Sequence, residues 1–488
     1  MRINLTGGSL QPRSPVLAVQ KCINLYPEPI NPDSGEPIQW ACYPRGGLNA
    51  IYKSTKNFNR PVRGMYKTSQ GQLVVCIGTE VIRVNSDFSV DVIGYIQDGF
   101  TQVRMCDNTL TLFIVDGNPN NGWFCPMPTA SNPNFGELQK ISDPAFYGSQ
   151  TISILDTFFL FTKPNSNHWY CSLSNFINDK PYDPGAGEDG TAFYGLYIAS
   201  KTSKPDYIIA VESVGQLIYV FGRETTEIWY DAGGQYFPFQ RMEQVMIGYG
   251  VLAPYSVTVL NNKVFWVGRD FKGYASVCVA EGTQATKISP FWLERLIQEY
   301  DSLEETVAYA YQLNGHNFLQ LTFKNGKVWC FDADLNLWHE RCSLDANGDQ
   351  TQFRAQAFQT CYNTVFAGDY QLGIIYEHSH TYTTDNGTPI LYERSFPHVV
   401  MDSKMVRHNS FTLDMQNEQA TNVNLSWSDD RGKTFFQGAT LQYDGNGANW
   451  AKLWQLGVSR DRVYNVSWLT SAQTALLGAF LEVEVFDA

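Results

Sequence analysis

Seven stretches of this chain repeat one pattern: an apolar run, a turn rich in Gly, Asn or Asp, and a second apolar run. They begin near residues 71, 108, 156, 215, 262, 316 and 363 and read GQLVVCIGTEVIRVN, NTLTLFIVDGNPNNGWFC, DTFFLFTKPNSNHWYCS, GQLIYVFGRETTEIWY, NKVFWVGRDFKGYASVCVA, HNFLQLTFKNGKVWCFD and NTVFAGDYQLGIIYEH. Short apolar runs punctuated by such turns are β-hairpins. The steps between them, 37, 48, 59, 47, 54 and 47 residues, bracket the ~40–50 residues of a four-stranded propeller blade. The reading is an all-β chain with a β-propeller-like domain of six to eight blades, seven favoured. A plain series of hairpins folded into sandwiches is the alternative, because the repeats share pattern more than identity.

Composition agrees: aromatics make up 14% and charged residues only 17%, a balance suited to strands packed on strands. Asn325-Gly326 predicts a two-residue type I′ turn. One helix is predicted, over residues 289–297, with Ser289 as cap, Pro290 in the first position and Phe291, Leu293, Leu296 and Ile297 on or near one face. The Gly-rich, polar stretch 177–206 reads as a long contact-bearing loop. From about 385 the texture changes to alternating strands without Gly-rich spacing. The expected division is therefore an N-terminal arm with the first strands (1–55), a propeller-like domain (56–384) and a C-terminal β-sandwich-like domain (385–488).

The 35 basic and 48 acidic side chains leave a formal charge of −13, which disfavours tight phosphate binding driven by counterion release. An acidic wall would let DNA slide past without sticking. The ten Cys are scattered, with no C-x-x-C pair, and read as reduced buried thiols. No apolar run approaches the ~18 residues of a membrane-spanning helix, and the opening residues lack a secretory apolar stretch, so a protein made and kept in a cytoplasm is expected.

No nucleophile elbow, phosphate-binding Gly loop or metalloprotease helix motif is present, and no catalytic, cofactor or metal site is expected. His378 and His380 alone are spaced as a ligand pair, but Glu377 falls on the opposite strand face, and a solvent-facing or capping pair is the simpler reading. Arg13, Arg45, Arg60 and Arg63 give the N-terminal region a basic tilt that a solvated surface, or salt bridges to acidic neighbours in a ring, explains as well as DNA contact would. Ser428, Asp430, Gly432, Thr434 and Phe435 match the S-x-D-x-G-x-T-F pattern of an Asp-box. In it a carboxylate accepts turn N–H groups, Gly takes positive φ and the aromatic plugs the hairpin.

Asn24, Tyr26 and Glu28, followed by Pro44, Gly47 and Leu48, resemble the opening of the packaged DNA stabilisation proteins of short-tailed bacteriophages. Shorter similarities follow at Val264–Asp270, Arg407–Phe411 and Leu456–Tyr464. The sequence departs from the family's T-P-G-L turn at Tyr43-Pro-Arg-Gly-Gly-Leu, where an Arg intervenes. The resemblance implies a non-enzymatic virion protein, assembled in the host cytoplasm: a head-completion or tail-hub component present as a ring, a hexamer, at the head-to-tail connector. Its implied partners are further copies of itself, adaptor and portal proteins above, and needle, nozzle, fibre or spike proteins below. DNA would pass through the lumen without sequence-specific binding. The rival readings are a sialidase-like glycan-active propeller, which should repeat the Asp-box over several blades, and a non-catalytic carbohydrate-binding or baseplate-type β protein.

Overall fold

The computed structural model describes residues 1–486 except 15, 17, 31–37, 184–189, 235, 236, 271, 403 and 446. The repeated hairpins become the two middle strands of seven antiparallel sheets arranged in a closed ring. The first sheet runs Val62–Lys67, Leu73–Ile77, Glu80–Val84, Val90–Tyr95, inner strand to outer. This is a seven-bladed β-propeller.

The middle strands read as continuous apolar runs because each blade is covered on both faces. In Thr111–Val115 of the second blade, Leu112 and Ile114 face the first blade and meet Val74, Cys76 and Val81. Phe113 and Val115 face the third, against Phe159, Phe161 and Tyr170. The same division recurs between blades three and four around Trp169 and Trp229, and between five and six around Trp292 and Trp329. Truncating one such side chain, Phe113→Ala for example, costs about 3–5 kcal/mol.

The ring is closed by a strand from the opposite end of the sequence. Ala355–Cys361, Thr364–Asp369 and Ile374–Ser379 form the inner three strands of the seventh blade. Its outer strand is Gly47–Lys53, antiparallel to Ile374–Ser379 with His378 opposite Leu48 and Ile375 opposite Tyr52. Residues 47–53, grouped with the arm in the sequence reading, thus stand in the propeller.

Beyond the ring lies a β-sandwich. One sheet holds Thr388–Ser395, Asp461–Thr470, Thr421–Ser428 and Phe436–Tyr443. The other holds Leu25–Ile30, Gln39–Pro44, Thr474–Phe486, Met405–Asn417 and Gly447–Trp454. Leu25 and Cys42 from the N-terminal segment sit in the sandwich core beside Phe411, Leu425, Trp468 and Leu481.

Two local expectations are corrected. Asn325 does take a left-handed φ of 53°, but Gly326 does not. The strands His316–Thr322 and Val328–Asp332 are therefore joined by five residues instead of a type I′ pair. The helix begins one residue later than expected, at Phe291–Gln298 with Pro290 as its cap residue. Ser289 does not cap it: its hydroxyl accepts the Val277 N–H at 2.9 Å and binds Glu294 at 3.0 Å. Trp292, Leu293 and Ile297 form the buried face, whereas Phe291 is 85% exposed.

All ten cysteines are buried and unpaired. Burial pushes the Cys42 and Cys76 thiols up to about 12, so they behave as small core side chains.

Candidate functional site

The N-terminal residues singled out from the sequence converge where the arm, the sixth and seventh blades and the sandwich meet. Asn24, held at a φ of 56°, is buried and bonds in four directions. Its amide N–H groups donate to the Cys342 carbonyl at 3.0 Å and the Leu391 carbonyl at 2.8 Å. Its Oδ1 accepts from the Cys342 N–H at 3.0 Å and from Arg45 Nε at 2.9 Å. Arg45, the residue that intervenes in the family's turn, is fully buried. It donates to Asp385 Oδ2 at 2.6 Å and lies over the Phe353 ring, 4.2 Å from its centre. Ser343 also donates to that carboxylate oxygen, at 2.8 Å.

Pro44 pairs with Leu25 in the sandwich sheet. Gly46, at a φ of 80°, then turns the chain into the outer blade strand. A Cβ on Gly47 would stand 2.4 Å from the Thr384 carbonyl oxygen, so only glycine lets the two backbones approach this closely. The Gly47 N–H donates to the Tyr382 carbonyl at 2.7 Å, and Leu48 pairs with Asp385 in parallel register. Tyr26 is buried edge-on to His316, Phe318 and His380. Glu28 lies at the rim of a small cavity, about 230 Å³, that Tyr26, Tyr43, His380 and Tyr392 also line.

The His378/His380 pair is not solvent-facing. His378 is 1% exposed and its Nδ1 bonds the Gly47 carbonyl at 3.0 Å, while His380 Nε2 meets the Tyr26 hydroxyl at 3.3 Å. Desolvation lowers the His380 pKa to about 4 and holds His378 well below the ordinary value. Among the described residues the grouping that could hold a cation is a different one: His316, Asp332 and Asp334, whose ligand atoms lie within 4.8 Å of one another. Its oxygens already serve the turn, because Asp332 Oδ2 binds His316 Nδ1 at 2.7 Å and Asp334 Oδ2 accepts the Asn317 N–H at 2.7 Å.

The basic N-terminal side chains divide. Arg13 is exposed, and Arg60 binds Asp98 at 2.5 Å near the surface. Arg45 and Arg63 overturn the solvated reading. Arg63 is fully buried and donates to the carbonyls of Thr101, Gly78 and Gln97 at 2.8–2.9 Å, bracing blade one against the strand entry of blade two.

At Ser428–Phe435 the turn network has the expected bonds. Asp430 Oδ1 accepts the N–H groups of Lys433 and Thr434 at 3.0 and 2.8 Å, and Oδ2 accepts the Thr434 hydroxyl at 2.5 Å. Ser428 Oγ accepts the Gly432 N–H at 2.7 Å, and Gly432 sits at a φ of 87°. These bonds, the Thr434 hydroxyl first, hold the Asp430 carboxyl far below the usual range. Phe435 is not the plug, being 37% exposed. Trp427 lies over Gly438 instead. The sequence reading also missed Asp429, which binds the buried Arg462 through two oxygens at 2.5 and 2.8 Å.

On one face of the propeller the loops of all seven blades surround a funnel of about 990 Å³ lined by Phe100, Gln150, Arg223, Arg269, Lys324 and Tyr370 among others. Below it Arg104 lies over the rings of Tyr255 and Tyr309 and donates to the Tyr255 carbonyl at 2.6 Å. The lining carboxylates Glu304 and Glu305 are neighbours in sequence, and Glu305 binds Lys324 at 2.6 Å. The expected loop 177–206 is partly core: Ala192 and Phe193 are buried between blades two and three, and Ile198–Ser200 is an outer strand. Its residues 184–189 lie outside the described ones.

A family model for bacteriophage P22 Gp10, a β-propeller, matches residues 46–383, well over half of the chain. The chain belongs to this family of phage stabilisation propellers. The matched span opens at Gly46, beside the strand that closes the P22 Gp10-type ring, and ends just past the seventh blade.

No curated protein matches the chain. Among solved structures it is similar to an exo-β-1,3-galactanase from Phanerochaete chrysosporium, at 9% identity and a TM-score of 0.30, over 83% of this chain and 99% of that one. It is also similar to the Cps50 (Swd1) β-propeller domain of Myceliophteria thermophila, at 6% identity and a TM-score of 0.39, over 65% and 96%.

Proposed function

We propose that the protein is a structural component of a bacteriophage tail, a hub at the head-to-tail connection that keeps packaged DNA in the capsid. The observation carrying this reading is the family match across the ring. A closed propeller whose last blade takes its outer strand from the other end of the chain suits a part under load, because the ring opens only when that strand is peeled away. The formal charge of −13 suits a wall past which DNA slides.

In this reading several copies, six by the family resemblance, form a closed ring through one repeated heterologous contact. Adaptor and portal proteins bind above it, and needle, nozzle, fibre or spike proteins below. The protein acts without turnover. Phage lacking it should package DNA and then lose it, giving empty heads by electron microscopy. Particles that keep full genomes and fail only in attachment would replace the hub with an adhesin.

A second reading, non-catalytic glycan binding, draws on Trp450 and Trp454, which are 63% and 58% exposed on the strand Gly447–Trp454. Residues four apart on a strand share a face, and flat exposed aromatics stack on sugar rings. Glycan-array binding that disappears in Trp450→Ala would favour it.

A further inference from the structure

Arg341, on the outer strand Leu337–Leu344 of the sixth blade, is 1% exposed and faces the seventh blade. Its Nη2 donates to His339 Nε2 at 3.1 Å and weakly to Cys330 Sγ at 3.7 Å, and the guanidinium lies 5.4 Å from the centre of the Phe318 ring. Its Nε and Nη1 have no partner. The carboxylates nearby are paired with other cations: Glu340 alternates to the other face and binds Lys327, Asp332 binds His316, and Asp385 binds Arg45 through Oδ2, its Oδ1 being buried without a partner. Among the described residues no carboxylate stands within ion-pair distance of Arg341.

The groups around it are orphaned in the same sense. Tyr311 OH, His339 Nδ1 and His378 Nε2 are buried and unpartnered, and all surround the same aromatic cluster. Tyr311 meets Phe318 and His378 with ring centres 5.6 and 5.7 Å apart, and Phe318 meets His339 at 5.7 Å. The bonds already made fix the proton positions. A guanidinium can only donate, so His339 Nε2 accepts and its Nδ1 carries the hydrogen. The Gly47 carbonyl can only accept, so His378 donates from Nδ1 and leaves Nε2 as an acceptor. What remains is one full positive charge and N–H and O–H donors on Arg341, His339 and Tyr311, with His378 Nε2 as the cluster's unpartnered nitrogen acceptor and Gln320 Oε1 and Asp385 Oδ1 as further buried acceptors without a partner.

A buried charge without a counter-ion is costly, and buried donors are nearly always satisfied. Waters would satisfy the donors yet leave the charge. We propose that this interblade space between the sixth and seventh blades binds one small dehydrated monovalent anion of chloride size, held by Arg341 with Tyr311 and His339. The anion is then an integral part of the wall beside the ring closure. It neutralises Arg341 and ties the sixth blade's outer strand to the seventh blade.

Crystals of the full chain grown in sodium bromide test this directly: an anomalous bromide peak is expected beside Arg341. In solution at fixed ionic strength, replacing gluconate by chloride should raise the melting midpoint by about 1–3 °C. Arg341→Met should abolish that difference, and Tyr311→Phe, which removes one donor and keeps the ring, should weaken the apparent halide affinity several-fold. Absence of the bromide peak, with equal midpoints in chloride and gluconate, would leave only water in the site and overturn the proposal. An equal chloride gain in the wild type and Tyr311→Phe, with no peak, would mark a general salt effect and overturn it too.

Discussion

Arg45 Nη2 and Asp385 Oδ2 meet at 2.6 Å with both side chains buried, and they join the strand that closes the propeller to the segment that leaves it. Removing one partner leaves the other as an uncompensated buried charge, an effect of about 3–5 kcal/mol. Arg45→Met and Asp385→Leu should each lower stability in urea by that order. The double variant should recover much of the loss, because two apolar side chains leave no orphaned charge. Losses that simply add would show that the two residues act independently.

The turn at Ser428–Phe435 should fail in graded fashion. Gly432→Val forces a β-branched residue into positive φ and should cost about 1–3 kcal/mol. Asp430→Ala removes four accepted hydrogen bonds at an exposed site and should lower the melting midpoint by less than Asp429→Ala, which strands buried Arg462. Equal midpoints for Asp429→Ala and wild type would contradict the anchoring role.

Acid should weaken the fold through its buried histidines. His380 and His408 have folded pKa values lowered to about 4 by desolvation, whereas an unfolded His takes up its proton near 6.5. The unfolded chain therefore binds more protons over that interval. Stability present above about pH 6.5 is lost as the pH falls towards about 4. His316, raised through its bond to Asp332, works in the opposite sense. Unfolding midpoints at pH 7.5 and pH 5 should show the loss, and His408→Gln should reduce it; a midpoint unchanged between those values would sink the assignment.

Purified protein should turn over neither glycans nor nucleotides. The funnel's acidic pair is adjacent in sequence and partly tied up by Lys324, which does not set an acid and a base on opposite sides of a bond. Robust hydrolysis lost in Glu304→Gln would overturn the non-enzymatic reading.

The middle strands of every blade were legible because tight turns link them and both faces are apolar. The fourth strands were not. Val90–Tyr95 is mostly solvent-facing, Gln139–Lys140 has two residues, and Ile198–Ser200 follows a long connection. Nor could local pattern reveal that Gly47–Lys53 pairs with Ile374–Ser379, since a contact across more than 300 residues leaves no periodicity behind. Arg45 read as a disruption of a family turn, yet burial beside Asp385 makes it the centre of that turn. Similarly, the sequence placed His378 and His380 at ligand spacing, and only the fold shows each facing its own backbone or hydroxyl partner.

The closing strand supplies the most direct link between stability and the proposed role. If the propeller sits below packaged DNA, outward pressure loads the hub, and the weakest point is the blade completed by a distant segment. Asp385→Asn keeps the shape of the side chain and removes its charge from beside Arg45, so assembly should proceed while the clasp is weakened. Phage carrying this change should package normal genomes and release DNA on heating several degrees below wild type, as followed by dye binding to ejected DNA. A surface change such as Glu281→Gln, at a residue whose partner Lys263 is itself exposed, should leave the release temperature unaltered. Release at the wild-type temperature from Asp385→Asn particles, despite a lowered unfolding midpoint of the isolated chain, would mean that this propeller does not bear the load of the packaged genome.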